Sequence, residues 1–122
     1  MTTKELPDEL ISLCRQAKFE KATKELYGND IVSIEPEGAP DRETRGLEAI
    51  IAKGEKFNEM IEEFHSFEMS DPLVADKFFS CSMKIDATFK GGFRNTLNEI
   101  CLYTVEDGKI VREEFFYNPS PS

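Results

Sequence analysis

Hydrophobic and polar positions recur with two different periods along the chain, and the change of period divides it into a helical first half and a stranded second half. In residues 6–17 (LPDELISLCRQA), Leu10, Leu13, Cys14 and Ala17 fall at helical spacing, and Pro7, Asp8 and Glu9 suit a first turn. A short amphipathic helix is predicted there. Phe19, Ala22, Leu26 and Tyr27 repeat the spacing, so a second helix is expected, ended by Gly28-Asn29 in the left-handed conformation. Residues 30–36 (DIVSIEP) are rich in β-branched residues and stop at a proline, which predicts a short strand. The following PEGAPDRETRG is loop by composition. From Leu47 to Phe64 the positions Leu47, Ile50, Ile51, Phe57, Ile61 and Phe64 form one stripe, predicting the longest helix, with Gly54 on the same side where another backbone approaches closely.

Four strands are predicted after it: His65 to about Ala75, Phe78 to Phe89, Arg94 to Val105 and Lys109 to Tyr117. Lys90-Gly91-Gly92 and Glu106-Asp107-Gly108 have hairpin-turn composition, so the last three strands are expected to form an antiparallel meander. Phe79, Cys81, Met83, Ile85, Ala87 and Phe89 alternate with Ser80, Ser82, Lys84, Asp86 and Thr88, which gives one buried and one wet face. The closing NPSPS reads as a flexible tail.

Composition narrows the class. A chain of 122 residues suits one domain with a single core, here about residues 6–117. No apolar run approaches the ~18 residues of a membrane span. The polar, acidic MTTKELPDELISLC lacks the basic start and apolar stretch of a secretory signal, so a cytoplasmic location is expected. A formal charge of −9 repels nucleic acid and anionic membranes, and neither is expected as a partner. Cys14, Cys81 and Cys101 are odd in number and widely spaced, which fits small core residues better than a disulfide framework or a zinc site.

The order helix, helix, strand, long helix, antiparallel strands is an α+β order in which helices cover one face of a curved sheet. With DIVSIEPEG before the loop, RGLEAI opening the long helix and EICLYTVEDGKIVREEFFYN across the last hairpin, the chain resembles the nuclear-transport-factor-2-like superfamily over nearly its whole length. It looks most like the SnoaL-like branch, which includes polyketide cyclases, and is similar also to ketosteroid isomerases. The resemblance implies a cone-shaped antiparallel sheet packed on three N-terminal helices and a pocket for a small hydrophobic organic molecule. Proton chemistry there needs no organic cofactor, and one histidine with scattered acids lacks a metal-ligand spacing, so neither cofactor nor metal is expected.

Candidate residues follow from the resemblance and from strand parity. Glu35, before Pro36, matches the aspartate that precedes a proline in the isomerases and serves there as the base; an apolar pocket would disfavour its ionised form. The isomerases' second, protonated acid falls at Cys101, with Glu99 two residues away on the same face. Their oxyanion-binding tyrosine falls near Leu10, which cannot donate a hydrogen bond, so steroid isomerisation is not expected. Tyr103 and Tyr117 are alternative hydroxyl donors. His65, the single histidine, stands at the predicted helix-to-strand junction, where it acts as an acid or base if it points inward and as a packed or capping residue otherwise. The isomerase alignment turns Val111, Glu113, Phe115 and Tyr117 inward, unless a bulge reverses the parity. Phe79, Met83, Phe89 and Phe115 either line a ligand's path or simply fill the core.

Catalytic expectations therefore rest on Glu35, Glu99 and His65, and ligand contacts on Tyr103, Glu113, Tyr117, Cys101, Phe79, Met83 and Phe115. Three functions fit: proton transfer, cyclisation or hydration on a hydrophobic carbonyl compound; binding without turnover; and a dimeric scaffold. Ile100, Leu102 and Phe116 on the sheet's outer face predict a homodimer.

Overall fold

The structure, a computed structural model, describes residues 4–118, so the predicted tail lies outside the described residues apart from Asn118. Three helices come first, α1 (Leu6–Arg15), α2 (Phe19–Leu26) and α3 (Leu47–Glu59). Between and after them run β1 (Tyr27–Ile34), β2 (Glu43–Arg45), β3 (Ile61–Met69), β4 (Leu73–Ala75), β5 (Phe78–Phe89), β6 (Phe93–Glu106) and β7 (Lys109–Phe116). The strands form one sheet in the order β2-β1-β7-β6-β5-β3, with β4 pairing β5 beyond the end of β3. Every pairing is antiparallel except β1 with β7, so the sheet is mixed rather than wholly antiparallel. No helix among the described residues is long and apolar enough to cross a membrane.

The helices bury their apolar stripes against the inner face of this sheet. Leu6, Leu10, Leu13 and Cys14 of α1 and Ala22 and Leu26 of α2 join Ile31, Phe79, Cys81, Cys101, Tyr103, Val105 and Ile110 in one core. All three cysteines are buried and free. The β6–β7 turn places Asp107 and Gly108 both at positive φ, as a two-residue hairpin requires.

Several expectations give way to the structure. The second helix stops at Leu26, because Tyr27 is already extended, and Gly28 runs on inside β1, where a Cβ would lie 3.6 Å from the Ile110 carbonyl of β7. The loop after β1 contains a strand: the Glu35 N–H donates to the Arg42 carbonyl at 2.7 Å, and Glu43–Arg45 pair back onto β1. Gly54 faces open space, not a close backbone. The long helix ends at Glu59, and the expected single strand from His65 to Ala75 is two strands broken at Ser70–Pro72.

The shortened helix has an instructive cause. Ile61, Phe64 and Phe67 pair with Phe89, Ala87 and Ile85, while register shifts fall between Ile61 and Glu63 and between Phe64 and Ser66. Each shift inserts one unpaired residue, so positions three apart in β3 face the same side as positions two apart in β5. A twice-bulged strand thus reproduces the spacing of a helix.

Candidate functional site

The inner face of the sheet is apolar at its closed end and acidic toward the other. Along β6 it runs Val105, Tyr103, Cys101, Glu99, from 2% exposed at Val105 to part-exposed at Glu99. On β7 the inward set is Ile110, Glu113 and Phe115, not Val111, because a bulge beside Thr104 and Val105 shifts the register by one residue. Tyr103 lies opposite Glu113, and Cys101 opposite Phe115. Extending the Ile100–Phe116 pairing by one residue sets Glu99 across from Tyr117.

Glu35 follows the last residue of β1 on the side of the buried Ile31 and Ser33. Its carboxylate accepts a hydrogen bond from Lys53 of α3, Nζ to Oε1 2.6 Å, with the two side chains 34% and 12% exposed, Lys53 first. Lys53 stands one turn beyond the buried Ile50, and its ammonium also lies 5.9 Å from the centre of the Phe115 ring.

Burial pushes the Glu99 carboxyl up to about 7; the nearby Glu35 and Glu113 carboxylates push the same way, and Lys53 opposes them. Burial also raises Glu113, against the Tyr27 and Ser33 hydroxyls and Lys53. Tyr27 donates its hydroxyl hydrogen to Glu113 Oε2. Ser33 Oγ lies near enough to favour the Glu113 anion but outside hydrogen-bonding geometry, and it is buried without a partner. Tyr117 is raised by burial and by its contact with Glu35.

Glu35, Glu99, Glu113, Phe115 and Tyr117, all singled out in the sequence, therefore lie together, with Met83 opposite Glu99 on β5. Cys101 opposes Cys81 deeper in the core, and Phe79 stacks on Tyr103 there, ring centres 4.7 Å apart. His65 does not join the cluster. It is the extra residue of the second β3 bulge, and its ring reaches Thr88 Oγ1 at 2.7 Å and Glu63 Oε2 at 3.0 Å. Thr88 belongs to the polar alternation of β5, away from Glu35 and Glu99.

Lys53, Tyr27 and Ser33 are participants that the sequence reading did not name. Lys53 carried a signal, since it is a charged residue three positions after Ile50 and four before Phe57 on the apolar stripe. It also borders an open groove of about 420 Å³ between β2 and α3, lined with Asp41, Glu43, Thr44 and Lys56. A second groove, about 210 Å³, lies between the α1–α2 turn and β3 and includes Phe19, Phe64 and His65. Among the described residues no group of three His, Cys, Asp or Glu side chains is placed to hold a metal ion.

Three helices on a curved mixed sheet give the nuclear-transport-factor-2-like or cystatin-like fold. Within it the chain belongs to the SnoaL-like domain family, whose model matches residues 1–117. A protein of Mesorhizobium loti described as a SnoaL-like polyketide cyclase is 33% identical, with a TM-score of 0.89, over 96% of this chain and 100% of that one. The fold extends to more distant proteins. An NTF2-like protein of Burkholderia thailandensis has 16% identity and a TM-score of 0.83, covering 98% of this chain and 92% of its own. A cystatin-like protein of Xanthomonas campestris has 17% and 0.80, covering 96% and 91%. Among curated protein sequences, none matches this chain.

Proposed function

We propose that this chain binds a small hydrophobic carbonyl compound against the concave face of the sheet and that Glu35 moves a proton on it. The observation that carries this reading is the convergence of Glu35, Glu99 and Glu113 from β1, β6 and β7 around the Lys53 ammonium, with Phe115 and Tyr117 beside them. The 33% identical protein, described as a SnoaL-like polyketide cyclase, is in keeping with this class of chemistry. In such a step Glu35 takes the proton from the carbon next to the carbonyl, the electron pair passes to the carbonyl oxygen, and the proton returns to carbon. Lys53 and Tyr117 are the donors nearest to Glu35, and Glu99 orients the guest.

Titration with 2-acetonaphthone in deuterated water tests the proposal. Amide shifts centred on Cys101, Phe115 and Tyr117 are expected, with deuterium entering the methyl group roughly a hundredfold faster than with Glu35→Gln. Absence of shifts counts against the pocket. Shifts without exchange leave a binding protein that does not turn over its ligand.

A homodimer is part of the same proposal. Ile100 and Phe116 pair across β6 and β7 on the outer face, and each is 50% exposed, an apolar patch that a second copy would cover.

A further inference from the structure

The acidic wall is short of positive charge. Lys53 is committed to Glu35 at 2.6 Å, and Tyr27 satisfies one oxygen of Glu113, whereas the Glu99 carboxyl makes neither a hydrogen bond nor an ion pair among the described residues. The part of the Glu99 carboxyl that the sheet covers gains no protein partner in exchange for the water it loses. Deeper on the same wall, Ser33 Oγ is 1% exposed and also has no partner, so the unmet polar demand is not confined to one side chain. The surroundings of Glu99 suit one kind of partner: Met83 faces it from β5, Tyr117 stands across from it, and the Phe115 ring next to Tyr117 already carries the Lys53 ammonium over its face. Aromatic faces and a carboxylate together favour an organic cation.

We propose that the ligand of this site carries a protonated amine on its hydrophobic body, and that Glu99 pairs with that ammonium beside Phe115 and Tyr117. The inference rests on the pocket reading above and narrows its ligand class to carbonyl compounds that also carry an amine. An anionic guest would meet Glu35, Glu99 and Glu113 with only Lys53 to offset them. A neutral guest offers Glu99 a hydrogen bond but leaves the charge of its ionised form unmatched. An ammonium supplies the missing charge and draws Glu99 into its ionised form, so binding strengthens as the pH rises through about 7. The groups that share this field are Glu35 after β1, Lys53 on α3, Cys81 on β5, Cys101 on β6, and Glu113 and Tyr117 on and after β7.

The test compares phenethylammonium with 2-phenylethanol, matched in shape, by nuclear magnetic resonance titration of the full chain at pH 6 and pH 8. Phenethylammonium should bind roughly tenfold tighter at pH 8, a gap typical of one charge-assisted hydrogen bond, and the advantage should shrink at pH 6. Glu99→Gln should erase the advantage of the ammonium over the alcohol. Equal or stronger binding of the alcohol to the native chain overturns the inference, and so does a preference that persists in a folded Glu99→Gln. The pH comparison uses native protein, so it decides the matter even if the variant fails to fold. If neither probe perturbs the concave face at millimolar concentration, the pocket reading itself fails, and this inference falls with it.

Discussion

Glu113 is 4% exposed and relies on the Tyr27 hydroxyl for one oxygen, so a single missing atom has a measurable cost. Tyr27→Phe keeps the ring's packing but removes the donor, and should destabilise the fold by about 1–3 kcal/mol in urea melts. Glu99 gives a pH signature instead. Its folded value of about 7 lies above the ordinary 4.5, so the folded state holds a proton that the unfolded chain releases between those values. The associated stability is fully present below pH 4.5 and is lost as the pH rises through 7, by about 2 kcal/mol after allowance for partial exposure. Glu113 is raised too and tilts the curve in the same sense. The urea midpoint should therefore fall between pH 5 and pH 7.5, and Glu99→Gln should flatten the fall.

Two glycines separate backbone need from packing need. Gly46 holds φ 93° and ψ 145° where β2 hands over to α3; its N–H donates to the Ile31 carbonyl, and its carbonyl accepts from Ile50. A Cβ there meets nothing within 4 Å, so Gly46→Ala should cost about 1–3 kcal/mol through backbone strain alone. Gly54, inside α3 with equally open surroundings, should gain about 0.5–1 kcal/mol as alanine, and paired thermal melts would show opposite shifts. The same elements show what the sequence made legible. Alternation in β5 and β6 and the turn at Asp107-Gly108 depend on neighbours in the chain, so the meander and the shared face of Glu99, Cys101 and Tyr103 could be read directly. The bulges in β3 depend on β5, some twenty residues away; they placed Ile61 and Phe64 at helical spacing and turned His65 from Glu35. Lys53 eluded the reading for a related reason: its partner Glu35 is supplied by another element.

At the scale of the molecule, the proposed homodimer rests on the outer sheet face. Arg94 pairs with Asp86 and Arg112 with Glu114 on that face, and the second pair lies beside the apolar contact of Ile100 with Phe116. Ile100→Lys sets a charge in the middle of the patch. Light scattering should report a dimer mass for the native chain at micromolar concentration and a monomer mass for the variant, whereas a native monomer mass would remove the homodimer from the proposal. The parallel pairing of β1 with β7 has a consequence of another kind, for the order of events during protein synthesis. β1 is made early, at residues 27–34, yet the strand that takes its free edge is residues 109–116. A ribosome emits the chain from its N-terminus, so α1, α2 and β1 emerge with their apolar faces uncovered and wait for about eighty residues of further elongation, several seconds at ordinary rates. This edge of β1 is covered only by β7, the last strand in the described order, so this pairing is expected to form late in synthesis.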